Sequence, residues 1–115
     1  MVRTANIVTQ YDLRGGKGRV DFHHILSEED MMGHGVMYAK MVLYPGSSIG
    51  THQHIGETEP YYVLSGQGRF WDHDGTSAEL LPGHVCWIDP GQSHGIENTS
   101  ETELLEVMAL KLFER

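Results

Sequence analysis

The chain of 115 residues contains few basic residues, a single cysteine and no long apolar segment. Acidic residues outnumber Lys plus Arg by 16 to 8, and the resulting net charge of −8 argues against binding to nucleic acid or to an anionic membrane surface. A lone cysteine, Cys86, excludes an intrachain disulfide framework and is typical of a reducing compartment. The sequence also lacks a membrane-spanning segment and the apolar stretch of a secretory signal. We therefore expect a cytoplasmic protein that binds neither nucleic acid nor membrane.

The short length and the distribution of Pro and Gly predict one all-β domain over residues 1–115. Turns separate short segments with alternating apolar residues or β-branched and aromatic content, a pattern typical of an antiparallel sandwich or barrel. The predicted strands cover residues 5–9, 20–26, 36–43, 61–64, 70–71, 77–81, 85–89 and 93–98. A barrel of this size can hold one ligand.

The last segment, residues 101–115, is ambiguous because its composition favours a helix. However, Leu105, Val107 and Ala109 alternate on one side, as they would in a strand. The regular spacing of the preceding strands favours the same interpretation. We predict a strand here.

Two polar segments near the N-terminus predict turns. Ser27 precedes three acidic residues, so it is a candidate N-cap for a single helical turn near residues 27–32. Residues 14–18, RGGKG, predict a flexible turn. They do not form a phosphate loop, because Lys17 is not followed by Ser or Thr.

Although the chain contains eight histidines, spacing identifies only three residues near one another as candidate metal ligands. His52 and His54 are two residues apart, which places both imidazoles on one face of a strand. Glu59 follows within a few residues, and His94 is the natural candidate for a fourth ligand from a more distant strand. Nitrogen and oxygen donors in this number suggest a site for a divalent transition metal.

These residues resemble the two sequence motifs of the cupin family. The first motif is matched at every fixed position, by Gly46, His52, His54, Glu59 and Gly66. The second is matched by Gly83, Gly91, His94 and Asn98. It departs at one position, since Asp89 stands where the motif has Pro, and Pro90 follows directly.

The resemblance covers about residues 37–112 and implies a small single-domain cupin with a jelly-roll β-barrel, or double-stranded β-helix. It implies one divalent metal ion per chain, bound by His52, His54, Glu59 and His94. Mn, Fe, Ni, Co and Zn all suit this donor set. Small cupins commonly form homodimers, and the N-terminal strands over residues 5–26 would add to the sheet or to the dimer interface.

Three residues near the motif have alternative interpretations. Glu57 is the only rival for the carboxylate ligand, but its spacing to the closing glycine is two residues too long. Tyr61 shares the inward phase of Glu59 and is our candidate catalytic residue, as a general acid or a hydrogen-bond donor to substrate. Tyr61 could equally be a core aromatic residue whose hydroxyl makes a hydrogen bond within the protein. His24 is interpreted as a hydrogen-bonded or half-exposed histidine beside the core.

Five further residues have possible but weaker roles. Trp71, Cys86 and Trp87 can line a pocket, although apolar packing is favoured for each. A nucleophilic role for Cys86 would require a low pKa. His84 is expected to face solvent in a turn, and Asn98 to hold backbone near His94.

Two classes of function fit this pattern. Four protein ligands leave two open positions on an octahedral ion, which favours an enzyme that acts on a small chelating substrate. Its chemistry would be that of a dioxygenase, and hence an oxidoreductase, or that of a non-redox isomerase or lyase. The alternative is a cupin that binds a metal or small ligand without catalysis, because fold does not determine function.

Overall fold

The computed structural model describes residues 1–114, which form eleven strands and one short 3₁₀ turn. The strands are β1 Asn6–Tyr11, β2 Arg19–Leu26, β3 Gly35–Leu43, β4 Ser48–Gln53, β5 Glu57–Thr58, β6 Tyr61–Ser65, β7 Gly68–Trp71, β8 Ser77–Leu80, β9 Val85–Cys86, β10 Ser93–Asn98 and β11 Leu105–Phe113. The 3₁₀ turn covers Leu13–Gly15. The prediction of an all-β jelly roll is confirmed.

Two antiparallel sheets make up the jelly roll. The larger sheet has the order β1-β2-β3-β11-β6-β9, and β5 also pairs with β11. The smaller sheet has the order β4-β10-β7-β8. Apolar side chains from both sheets form one core between them, including Met41 and Val107 from the larger sheet and Phe70 and Ile96 from the smaller.

The C-terminal segment is a strand, as its alternation predicts. β11 lies in the middle of the larger sheet between β3 and β6. Leu105, Val107 and Ala109 are fully buried on its core side, and Leu105 pairs with Leu43 of β3. Burial of this apolar face in a central strand outweighs the modest helix propensity of the segment.

The predicted helical turn after β2 is present as a hydrogen-bonded turn. The Ser27 hydroxyl accepts a bond from the Asp30 backbone N–H at 3.0 Å, and an Asp30 carboxylate oxygen accepts one from the Ser27 N–H at 3.0 Å. The Met31 N–H bonds to the Ser27 carbonyl at 3.1 Å. This reciprocal arrangement is a capping interaction that closes a single turn.

The segment predicted as a flexible turn is instead held against β4. A side chain on Gly50 would bring its Cβ to 2.1 Å from the Arg14 carbonyl oxygen, so only glycine permits this approach. The Ser48 N–H donates to the Lys17 carbonyl at 2.7 Å. Arg14 has a φ of 57°, in the left-handed region. Sequence patterns did not show this contact, because it depends on a glycine in a distant strand.

No helix in the described part of the chain is long and apolar enough to cross a membrane.

Candidate metal centre

The jelly roll brings His52, His54, Glu59 and His94 together inside the barrel. His52 lies on β4 and pairs directly with His94 of β10. His54 follows the end of β4, and Glu59 lies between β5 and β6. One donor atom from each of the four residues lies within 4.8 Å of the others.

The donor atoms converge on one point. The Nε2 atom of His54 lies 2.9 Å from the Nε2 atoms of both His52 and His94. An Oε1 atom of Glu59 lies 3.1 Å from His94 Nε2 and 3.3 Å from His54 Nε2. Three ring nitrogens this close cannot all be satisfied by sharing protons, whereas a cation satisfies them all at once. The donor set therefore fits one divalent metal ion.

Contacts on the far side of two rings orient them toward that point. His52 Nδ1 lies 2.8 Å from the Gly50 carbonyl, and His54 Nδ1 lies 2.5 Å from Glu57 Oε1. With the proton on Nδ1, each ring presents the Nε2 lone pair to the metal position. His94 Nδ1 is buried and has no hydrogen-bond partner among residues 1–114.

Electrostatics favour the metal-binding protonation state of Glu59. Burial by itself raises the pKa of this carboxyl group, which is 2% exposed. Hydrogen bonds with His54 and His94, together with the positive charge of Lys111, outweigh burial and hold the pKa well below its ordinary value of 4.5. Burial also lowers the pKa of His52, which favours the neutral imidazole that a metal requires. The hydrogen bond with Glu59 raises the pKa of His54.

Tyr61 is buried against this group. Its hydroxyl donates to Glu59 Oε1 at 2.9 Å, and its ring stacks on that of His94 with centroids 5.1 Å apart. Burial and the negative charge of Glu59 raise the pKa of Tyr61 well above 10. The phenol is therefore a neutral donor that orients the carboxylate.

A cavity of about 200 Å³ reaches two of the four candidate ligands. His52, Glu59 and Tyr61 contribute to its wall, together with the apolar residues Phe22, Met37 and Met41. This volume suits a ligand with few heavy atoms and is smaller than drug-sized pockets.

The cavity also contains polar residues that the sequence motifs do not include. These are Gln10, Arg14, His24 and Lys111. His24 was expected beside the core, and the structure places it at this cavity, stacked on Phe22. The one available signal for Lys111 was its inward phase on β11, where it follows three apolar residues.

Glu57 takes a role that sequence spacing did not suggest. It lies outside the group of four ligands and contacts His54 from behind. The rejection of Glu57 as a rival ligand agrees with this geometry. Its position three residues after His54 was the signal that could have indicated a supporting carboxylate.

Other candidate residues lie away from the cavity. Trp71 and Trp87 are 41% and 59% exposed, so neither packs in the core as favoured. Cys86 packs partly against the core, and burial raises the pKa of its thiol to about 12, which argues against a nucleophilic role. His84 is exposed, as expected for a turn residue, and its Nδ1 accepts from the Leu81 N–H.

Asn98, the last residue of β10, holds neighbouring backbone in place. Its side-chain amide donates to the Leu43 carbonyl at 2.9 Å and to the Glu103 carbonyl at 2.8 Å. These bonds join the end of β3 to the loop before β11.

Comparison with known proteins gives a match over the region that contains these residues. A model of the cupin domain matches residues 39–109, which include all four ligands. The chain belongs to the cupin family. This cupin is 45% identical over 106 residues to an oxalate-binding protein of Thermotoga maritima, and the match covers 90% of this chain and 87% of the relative.

Solved structures agree with the fold. A crystal structure of a predicted oxalate decarboxylase from Thermotoga maritima has 43% sequence identity to this cupin and a TM-score of 0.91, and the match covers 98% of both chains. The polyketide cyclase RemF from Streptomyces resistomycificus has 21% identity and a TM-score of 0.77, and the match covers 100% of this chain and 80% of that one. The second likeness concerns the fold alone.

Proposed function

We propose that this cupin binds oxalate, or a similarly small dicarboxylate, through one divalent metal ion held by His52, His54, Glu59 and His94. The convergence of these four donors beside a small cavity carries the proposal. The names of the Thermotoga maritima relatives, an oxalate-binding protein and a predicted oxalate decarboxylase, support the choice of ligand.

The chemistry of the site suits a chelating dianion. A bound metal supplies Lewis acidity and two open coordination positions, enough for one oxygen from each carboxylate of oxalate. Glu59 and the three imidazoles would hold the ion, and Tyr61 orients Glu59. Apolar side chains form part of the cavity wall beside the charged groups. Mn, Fe, Co, Ni and Zn are the candidate ions.

Elemental analysis followed by calorimetry tests this function. Protein purified without chelators should contain about one metal ion per chain, or regain it on reconstitution. The loaded protein should bind oxalate, and chelator-treated protein should not. Stoichiometric metal with no detectable affinity for oxalate, malonate or other small dicarboxylates would contradict the proposed ligand.

Catalysis is the second candidate. Cleavage of the carbon–carbon bond of oxalate yields carbon dioxide and formate and requires one proton delivered to carbon. Tyr61 is our candidate residue for this chemistry, since it lines the cavity and its hydroxyl contacts Glu59. Its raised pKa and its bond to Glu59 make it a weak acid, so we place binding before catalysis.

Assays of formate production from oxalate, with and without dioxygen, separate the remaining alternatives. Anaerobic turnover would support a lyase and exclude a dioxygenase. Tight binding without turnover would establish a binding protein.

The net charge of −8 supports a small-molecule ligand over nucleic acid or membrane. We also propose a cytoplasmic location, with which the single free Cys86 is consistent.

A further inference from the structure

Lys111 differs from the other residues on the core side of β11. Leu105, Val107 and Ala109 precede it on that side and are fully buried. Lys111 continues the same phase, is half-buried and lines the cavity beside the metal ligands. A half-buried lysine at the end of an apolar row packs its aliphatic stem against its neighbours, and Lys111 is placed at the wall of the cavity.

Lys111 lines the same cavity as His52 and Glu59, and its charge has no partner of its own. Within residues 1–114, the ammonium group of Lys111 makes no hydrogen bond or ion pair, although its backbone pairs with Met37 of β3. Lys40, on the adjacent strand β3, is instead paired with Glu106 at 3.6 Å. An ammonium at a cavity wall without a counterion is a favourable position for an anion from solution.

The balance of charge at the proposed metal site indicates which class of anion would bind there. A divalent ion and the Glu59 carboxylate together carry one net positive charge, because the three imidazole ligands are neutral. A monoanion neutralises that charge, whereas a dianion leaves one negative charge in excess. The ammonium of Lys111 supplies the missing positive charge close to the ligand position. Arg14 also lines the cavity, but it is exposed, so solvent screens its charge more strongly.

We propose that Lys111 is the residue that makes the cavity select dianionic chelators, such as oxalate, over monoanionic ones. This inference rests on the proposed function. Lys111 is assigned a role in ligand specificity and none in metal binding, so the two properties should separate in a variant.

The test compares metal-loaded wild-type protein with Lys111→Met, Lys111→Arg and Lys40→Met. Oxalate serves as the dianion and glycolate as a monoanion of similar size, with affinities measured by calorimetry at low ionic strength. We expect Lys111→Met to weaken oxalate binding about tenfold or more, equivalent to about 1.4 kcal/mol, and glycolate binding by less than about threefold. Lys111→Arg should preserve the preference, and Lys40→Met, on the opposite face of the sheet, should behave as wild type.

Elemental analysis of each variant checks that metal occupancy is unchanged. If the Met variant does not fold, the affinities of Lys111→Gln for oxalate and glycolate are compared instead, with folding verified by circular dichroism. Equal affinities of wild type and variant for oxalate would overturn the role of Lys111 while leaving the proposed function intact. Parallel losses for oxalate, glycolate and metal would assign Lys111 a structural role instead. Failure of the loaded wild type to bind oxalate would refute the proposed function itself.

Discussion

His54 contacts every other ligand of the metal site. Its Nε2 atom lies 2.9 Å from His52 and His94 and 3.3 Å from Glu59, and the residue is only 3% exposed. We expect His54→Ala to abolish metal occupancy, because three remaining donors would enclose a cavity in place of the central ligand. Elemental analysis after reconstitution measures this. His73→Ala, in an exposed turn, is the matched control; full occupancy in the His54 variant would show that the ligands are wrongly assigned.

Glu57 supports the same histidine from behind. Its carboxylate accepts a hydrogen bond from His54 Nδ1 at 2.5 Å, which keeps the proton on that nitrogen. Glu57→Ala removes this constraint and should weaken metal affinity about 10- to 100-fold. Competition with a metal chelator measures the change. Glu79→Ala, on the exposed surface of β8, should leave the affinity unaltered, and an equal loss in both variants would indicate a general charge effect.

The residues of the site were predictable to different degrees. The four ligands follow from spacing, since His52, His54 and Glu59 are close in sequence and His94 lies in a second motif. Glu57 was considered only as a rival ligand, because sequence separation does not tell which side of an imidazole a carboxylate contacts. Lys111 was missed because its role depends on where the cavity lies, which no local pattern states.

Asp21 joins three elements of the larger sheet. The carboxylate accepts hydrogen bonds from Thr9 of β1 at 2.7 Å, from Arg19 of β2 at 3.0 Å and from Tyr44, just after β3, at 3.0 Å. The bond from Arg19 is the largest cause of a pKa below the ordinary 3.8, and Thr9 and Tyr44 lower it further against the effect of burial. The edge strand β1 is exposed along its length, so this polar contact is important for its attachment.

The lowered pKa of Asp21 predicts how stability depends on pH. The folded state binds this proton less readily than the unfolded state, so the stabilisation is present above pH 3.8 and is lost as the pH falls toward the folded pKa. We expect Asp21→Asn to lower the free energy of unfolding at pH 7 by about 1–3 kcal/mol. The difference from wild type should shrink at pH 3 and below.

Urea denaturation at several pH values measures this dependence. Asp89→Asn, at an exposed position, is the control and should follow the wild-type curve. A destabilisation by Asp21→Asn that stayed constant from pH 7 to pH 2 would show that the charge of the carboxylate has no part in the effect.

An apolar area on the outer face of the larger sheet predicts the assembly of the whole molecule. Tyr62 and Val85 are 47% and 56% exposed, and Met108 and Leu110 lie half-buried on the same face. Contiguous exposed apolar surface of this kind is typical of subunit interfaces. We therefore expect a homodimer of about twice 12.9 kDa, measured by light scattering at micromolar concentration.

Variants at this surface locate the interface. Tyr62→Glu should shift the equilibrium to monomer, because it would bury an unpaired charge between subunits. Thr51→Glu, at an exposed position on the smaller sheet, is the control. A monomeric wild-type protein would contradict the prediction, and an unchanged dimer in the Tyr62 variant would place the interface elsewhere, with the exposed strand β1 as the next candidate.

The fold class, the cupin family and the four residues whose donor atoms converge could all be predicted from the sequence alone. Alternating apolar residues, Pro and Gly turns and ligand spacing are local properties, and each is readable within a few neighbouring residues. Only the folded structure shows which charges surround the proposed ligand position and that Arg14 and Gly50 are in contact. It also showed that the Tyr61 hydroxyl is engaged by Glu59. These relations join residues from separate strands, so they depend on sheet order and register, which local patterns do not specify.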